Sequence, residues 1–360
     1  MVSTSMTEDR QLIDPTVPII GHEVLTSALT RSVGTGRLSH AWLITGPQGT
    51  GKASMACLAA GWLMAEQQAA STDLLGDPLF DLNPNDPGTN LVIKGSHPDL
   101  LIVRPALEDN KSGQIKIDQI RAVSTFMAKK PGRGGWRVAI VDSLDAVNRN
   151  GINALLKILE EPPEKAILFL VASKPGRLPP TIRSRCRLVR VPPLAFGDCR
   201  QILEGPFGEL PETQLNDLAI LCDGAPGLAA ELAECDAVSG YQALCSLLAD
   251  QKLDVAALES LCDKLGRGGA AGQKLRSGIA ILIARLLHIS AVQASGAEPP
   301  LHTSFEQRTV RALASRHTAA TLGEKQTAFV RQAAQADGLY LDYGLFLART
   351  LGEVHQKTLP

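Results

Sequence analysis

GPQGTGKAS, Gly46 to Ser54, is the stretch on which the fold turns. It fits the pattern G-x-x-x-x-G-K-[ST] at Gly46, Gly51 and Lys52, with Gly49 adding freedom inside the loop, but Ala53 stands where a hydroxyl would ligate magnesium, followed by Ser54. The preceding Ala41 to Thr45 is an apolar run of strand length. The residues from about Lys52 onward place apolar side chains at helical spacing. Strand, glycine loop and helix in that order form an anion cradle from backbone N–H groups, with a lysine charge at the terminal phosphates.

Working outward, DLLIVRP from Asp99, WRVAIVDSLDAV from Trp136 and AILFLVASKP from Ala166 are further apolar runs. KIDQIRAVSTFMAKK and GINALLKILEEPPE lie between them with helical periodicity. Strands alternating with helices of this length predict a parallel sheet covered on both faces. Pro162 and Pro163 end the helix that begins near Asn150. The stretch from Ser71 to Asp99, rich in Asp, Asn, Pro and Gly, reads as an irregular surface insertion. Beyond Pro193 the strand signal fades into helices, with a glycine-bearing break expected near Gly240 and a loop near Arg267. The expected division is an α/β domain over 1–175, a helical lid over 176–238 and an all-helical collar over 239–360.

The bulk properties of the 360-residue chain narrow the function. With 44% apolar and 20% charged residues it has material for buried cores, and a net charge of −1 argues against coating nucleic acid by bulk electrostatics. Seven scattered cysteines without a C-x-x-C spacing read as reduced thiols of a cytoplasmic protein. Cys57 alone precedes Cys186, so a four-thiolate zinc site cannot be assembled upstream; no metal site is expected. The N-terminus lacks a signal-peptide core. The most apolar run, SGIAILIARLLHISAV, is interrupted by Arg285 and His288 and reads as a buried helix too short for a bilayer, so no membrane partner is expected.

Hydrolysis at such a loop needs magnesium and a base that positions water. RVAIVDSLD supplies Asp142 at a strand end, but Ser143 follows where a carboxylate base would stand, and Asp145 is expected to point elsewhere as a solvated or capping acid. In PPTIRSRCRLVRVPP, Arg185 precedes a strand-like run, where its planar charged fork could project from the domain edge. Its plain alternative is a surface arginine.

HAWLITGPQGTGK, SHPDL, VDSLDAVNRNGINALLKILEEPPE and LPPTIRSRCR, in this order, resemble the delta-prime family of bacterial DNA polymerase III clamp-loader subunits, which are AAA+ proteins. The motif-level resemblance covers about Gly21 to Pro193. It implies an AAA+ sheet domain, a helical lid and a helical collar that joins subunits into a ring. It assigns Lys52 as the loop lysine, Asp142 as the magnesium-strand aspartate, Ser173 as the sensor-strand polar residue and Arg185 as an arginine reaching a neighbour's ATP site. Gly227 falls where an active subunit carries its lid arginine. The implied partners are the tau/gamma motor subunits, the delta subunit, the sliding clamp and, through the complex, primed DNA. No cofactor is required, and weak ATP or ADP binding stays open. An autonomous AAA+ ATPase, such as a helicase loader or branch-migration motor, is the alternative, against which Ala53, Ser143 and Gly227 count. A small-molecule P-loop kinase is a second alternative, disfavoured by the long helical C-terminal third.

Overall fold

The computed structural model describes residues 20–21, 23–66, 71–72, 78–79, 82–105, 114–133, 135–266, 269–338 and 342–357. The chain divides into two compact units, Met1–Gly205 and Pro206–Pro360.

The first unit is a three-layer α/β sandwich. Its elements in order are α1 (Glu23–Gly34), β1 (Ala41–Thr45), α2 (Lys52–Met64), β2 (Ser71–Thr72), β3 (Pro78–Leu79), α3 (Pro87–Ile93), β4 (Leu100–Val103), α4 (Ile117–Met127), β5 (Arg137–Val141), α5 (Arg149–Glu160), β6 (Ala166–Ala172), α6 (Pro180–Arg183) and β7 (Arg187–Arg190). α7 (Phe196–Phe207) runs across the division between the units. The central sheet has the order β4-β5-β6-β1-β7, and every pairing is parallel. Alternation along the strands feeds both layers. Trp42, Ile44, Val138, Ile140 and Phe169 pack with Leu25, Leu29 and the α2 side chains on one face. Leu43, Ala139, Val141, Leu168 and Leu170 pack with Ile120, Val123 and Leu155 on the other. All residues of β1, β5 and β6 are buried, which is why these segments read as continuous apolar runs.

Two expectations for this unit are corrected. The 71–99 stretch is not wholly irregular: Asp86 caps α3 by accepting from the Thr89 N–H at 2.9 Å, and Pro87 occupies the first helical position. The sheet also runs past residue 175, since β7 pairs with β1 from Trp42↔Arg187 to Thr45↔Arg190. A strand at 187–190 therefore belongs to the α/β layer rather than to a lid.

The second unit is helical: α8 (Glu212–Leu221), α9 (Pro226–Glu234), α10 (Ala237–Ala249), α11 (Val255–Gly266), α12 (Gly269–Ala294), α13 (Ser304–Arg316), α14 (Ala319–Gly338) and α15 (Tyr343–His355). The break expected near Gly240 lies earlier, at Asp236, whose φ of 52° is left-handed. Gly240 sits inside α10, where an added Cβ would come within 2.7 Å of Leu265 Cδ2 of α11; it marks a close helix approach rather than a turn. The loop expected near Arg267 falls on a position outside the described residues; α11 ends at Gly266 and α12 begins at Gly269. At 26 residues α12 is also long enough, by length and composition, to cross a bilayer, contrary to expectation. What marks it as a packing helix is Arg285, buried midway along it against the wholly buried Glu306 of α13.

Candidate functional site

The phosphate loop leaves the C-terminal end of β1 and enters α2. Gly49 and Gly51 take φ values of 82° and 77°, and a Cβ on Gly46 would fall 2.2 Å from the Val191 carbonyl oxygen, so the loop's path needs glycine at these points. Lys52 opens α2 almost fully buried, its Nζ donating to the Pro47 carbonyl, which also accepts from Thr50 Oγ1 at 2.9 Å. The loop is thus closed on itself, with the helix N-terminus behind it. Ala53 is half-buried and Ser54 exposed on the first turn of α2.

Asp142 follows β5 at the same edge of the sheet. Burial pushes its carboxyl above the ordinary value, opposed by Arg104, by Lys52 and by a hydrogen bond with Ser143. Burial pushes the Lys52 ammonium down, opposed by Asp142 and then Asp145. Asp145 does not point away, as its sequence position suggested. It lies on a short 3₁₀ turn, Leu144–Ala146, and its Oδ1 accepts from the Ser173 N–H at 3.1 Å, tying the β5 end to the β6 end. Ser143, before that turn, holds φ at 70°, a left-handed conformation uncommon outside glycine. Lys52, Asp142, Asp145 and Ser173 therefore gather at the carboxyl ends of β1, β5 and β6, where open α/β sheets bind ligands.

This edge fits a phosphate but not a magnesium ion. The loop N–H groups and Lys52 suit an anion. Ala53 offers no oxygen ligand. Arg104, from the end of β4, brings its Nε to 3.8 Å from Asp142 Oδ2, a cation already beside the one carboxylate that would hold the metal. Nothing in the spacing of the sequence singled out Arg104, because only the pairing of β4 with β5 places it there.

Arg185 lies at the opposite edge. It follows α6 and stands two residues before Arg187, the partner of Trp42, so it is level with the start of β1, whereas the phosphate loop begins beyond Thr45 at the end of β1. At about 3.3 Å per residue the separation along the strand is on the order of 20 Å, longer than an arginine side chain reaches. Half-exposed at that edge, the arginine is held by two contacts. Arg185 Nη2 pairs with Glu160 Oε1 at 2.8 Å, and Nη1 donates to the Thr181 carbonyl at 3.1 Å. Glu160 is the last residue of α5, so the LEEPP and RSRC stretches meet in space. Arg187 is engaged otherwise, its guanidinium over the Trp42 ring and bonded to Ser32 Oγ.

The remaining motif, SHPDL, is structural. Asp99 is buried and accepts from the Gly132 and Arg133 N–H groups and from Arg137 Nη2 at 2.6 Å, pinning the turn before β5. His97 Nδ1 accepts from the Asp99 N–H at 3.1 Å. Gly227 lies exposed in the first turn of α9, in the helical unit.

Residues 21–195 match the family model described as DNA polymerase III, delta subunit. Over 193 residues the chain is 31% identical to DNA polymerase III subunit delta' of Pseudomonas aeruginosa, the match covering 54% of this chain and 55% of that protein. It is 30% identical over 192 residues to DNA polymerase III subunit tau of Escherichia coli, covering 53% of this chain and 27% of that one. The chain thus spans about half the length of the first of these relatives and less of the second. Among solved structures it aligns with a DNA polymerase III gamma subunit-related protein of Thermotoga maritima at 19% identity and a TM-score of 0.40, covering 89% of this chain and 95% of that one.

Proposed function

We propose, from the match of residues 21–195 to the DNA polymerase III delta-subunit model and the 31% identity to a delta' subunit, that the chain is a clamp-loader subunit of delta-prime type which supplies Arg185 in trans and hydrolyses little or no ATP. Its partners on this reading are tau/gamma-type motor subunits, a delta subunit, the sliding clamp and, through the assembly, primed DNA, all in the cytoplasm. The helical unit, with its long helices, would carry the assembly contacts of a collar.

The observation that carries the proposal is the opposition of the two edges. Arg185 stands at the N-terminal end of the sheet and the chain's own phosphate loop at the C-terminal end, so an arginine there has no use for nucleotide held by its own subunit. On this reading it serves a neighbour's. The loop edge supports the second half of the proposal, since Ala53, Ser143 and the Arg104–Asp142 contact leave no metal ligand set and no base for water. A catalytically silent chain can still govern hydrolysis, because an arginine donated to a phosphoryl-transfer site contributes on the order of 10³ to 10⁵ in rate in other systems.

The test is Arg185→Ala in a loader reconstituted with its motor and delta subunits, reading clamp- and DNA-stimulated ATPase and clamp loading. Assembly survives, and the stimulated rate falls by the share of the one site that lost its arginine. Arg185→Lys rescues only in part, since an ammonium keeps the charge without the planar fork. Arg183→Ala, a substitution on the exposed face of α6, is the control. Wild-type rates in the Arg185→Ala loader overturn the proposal.

A further inference from the structure

The contact between the LEEPP and RSRC stretches has a chemical purpose that neither motif declares alone. α5 is stopped by Pro162 and Pro163, which fixes Glu160 at its last position. Arg185 lies just after α6, whose Thr181 carbonyl accepts from Nη1 while Glu160 Oε1 takes Nη2. Two anchors from two different elements thus hold the terminal nitrogens of one guanidinium. A guanidinium has five N–H donors, so these contacts leave others for an acceptor outside the chain. The pair is half-exposed, with side-chain exposures of 36% for Arg185 and 51% for Glu160, and a pair so open to solvent contributes little to folding. What it does set is where the fork points.

We infer that Glu160 is a positioning residue for Arg185, holding the guanidinium at the sheet edge in the orientation in which it meets a nucleotide polyphosphate bound by an adjacent subunit. This rests on the in-trans role of Arg185. Glu160 acts on the arginine in two opposed ways: as a hydrogen-bond acceptor it fixes the fork, and as a charge it offsets part of the attraction for phosphate. Orientation dominates, because a misplacement of about 1 Å in a reacting constellation can cost on the order of 100-fold in rate.

The experiment compares Glu160→Ala, Glu160→Asp and Glu160→Gln, each alone and with Arg185→Ala, in the reconstituted loader. Stimulated ATPase is read as kcat and KM, and thermal denaturation of each isolated chain checks folding. Glu160→Ala lowers the Arg185-dependent part of kcat by roughly 5- to 10-fold, a partial loss of orientation. KM for ATP is unchanged, because the neighbour holds the nucleotide. Glu160→Asp, with the charge kept and the reach shortened, falls with it. Glu160→Gln, with the acceptor kept and the charge removed, retains most of the rate. In the Arg185→Ala background none of the three has a further effect. If Arg185→Ala is impaired while Glu160→Ala and Glu160→Asp run at the wild-type rate or faster, Glu160 does not position the arginine. If Arg185→Ala itself is unimpaired, the in-trans role fails first and this inference with it.

Discussion

Replacing Arg285 with leucine tests how the helical unit is held together. In the native unit, Glu306 is fully buried. Its Oε1 receives Arg285 Nη1 and the Tyr241 hydroxyl, the latter at 2.7 Å, while its Oε2 receives the Thr303 N–H at 2.8 Å and Thr303 Oγ1 at 3.1 Å. Arg285 Nη2 also donates to the Leu301 carbonyl. Leucine at 285 removes the only cation on the carboxylate among the described residues and one donor from Leu301. A buried pair broken from one side costs about 3–5 kcal/mol, a large part of the roughly 5–15 kcal/mol that stabilises an ordinary domain. At about 2–4 °C per kcal/mol for a unit of this size, the melting midpoint falls by on the order of 10 °C. Circular dichroism and calorimetry on the full chain read the shift. The double variant Arg285→Leu/Glu306→Gln separates charge from hydrogen bonding: the glutamine carbonyl oxygen keeps the Thr303 N–H while its NH2 donates to the Tyr241 hydroxyl oxygen, with no buried charge left, so it recovers at least about half of the loss. A midpoint drop below about 3 °C for Arg285→Leu, or a double variant no more stable than the single one, refutes the reasoning.

Stability of the α/β unit should fall as pH drops below about 6.5, the ordinary histidine value. Burial lowers the His97 pKa, with Asp99 opposing and Arg133 assisting, so the unfolded chain takes up a proton that the folded chain refuses; His97→Asn flattens the thermal midpoint between pH 7.5 and 5.5, within about one unit either side of that value, and an unaltered slope counts against the assignment. Calorimetry with ATP should show that magnesium adds little to any affinity of the isolated chain, since Ala53 and the Arg104–Asp142 contact leave it no ligand set; tight magnesium-dependent binding would contradict this. Thiol titration of the native chain should be slow at the buried cysteines and complete only on denaturation, because burial pushes Cys57 up to about 11 and Cys245 and Cys262 up to about 12; fast modification of Cys245 or Cys262 at neutral pH would show that those helices open.

The parts of the fold that were legible from sequence are those with local causes. β1, β5 and β6 announced themselves as apolar runs because a central parallel strand is buried on both faces, and Lys52 and Asp142 were placed by the elements immediately around them. The parts missed have non-local causes or small local signals. β7 read as strand-like on its own residues, but its place in the sheet depends on β1, more than a hundred residues earlier in the chain. Asp86 and Pro87 did carry a helix-start signal, but it was submerged in a stretch rich in turn formers. Gly240 looked like punctuation because a glycine demanded by tight packing and one demanded by a turn are the same letter. At the site, Arg104 and Glu160 escaped notice and Asp145 was read as pointing elsewhere, because each acts on a residue that only the sheet order or a helix end brings near.

The sheet that separates the phosphate loop from Arg185 also acts as an insulator. Changes at sites more than about 7–10 Å apart without shared partners add independently, and the strand length exceeds that distance. Energetic damage at one edge is therefore not transmitted to the other: a lost hydroxyl at position 53 or a serine at position 143 leaves the orientation of the guanidinium untouched. On the proposed function, receiving a nucleotide and acting on a neighbour's become separable traits of one small domain. Either can be lost, repaired or redesigned without renegotiating the other, so that restoring Ala53→Thr and Ser143→Glu should leave every Arg185-dependent readout where it was.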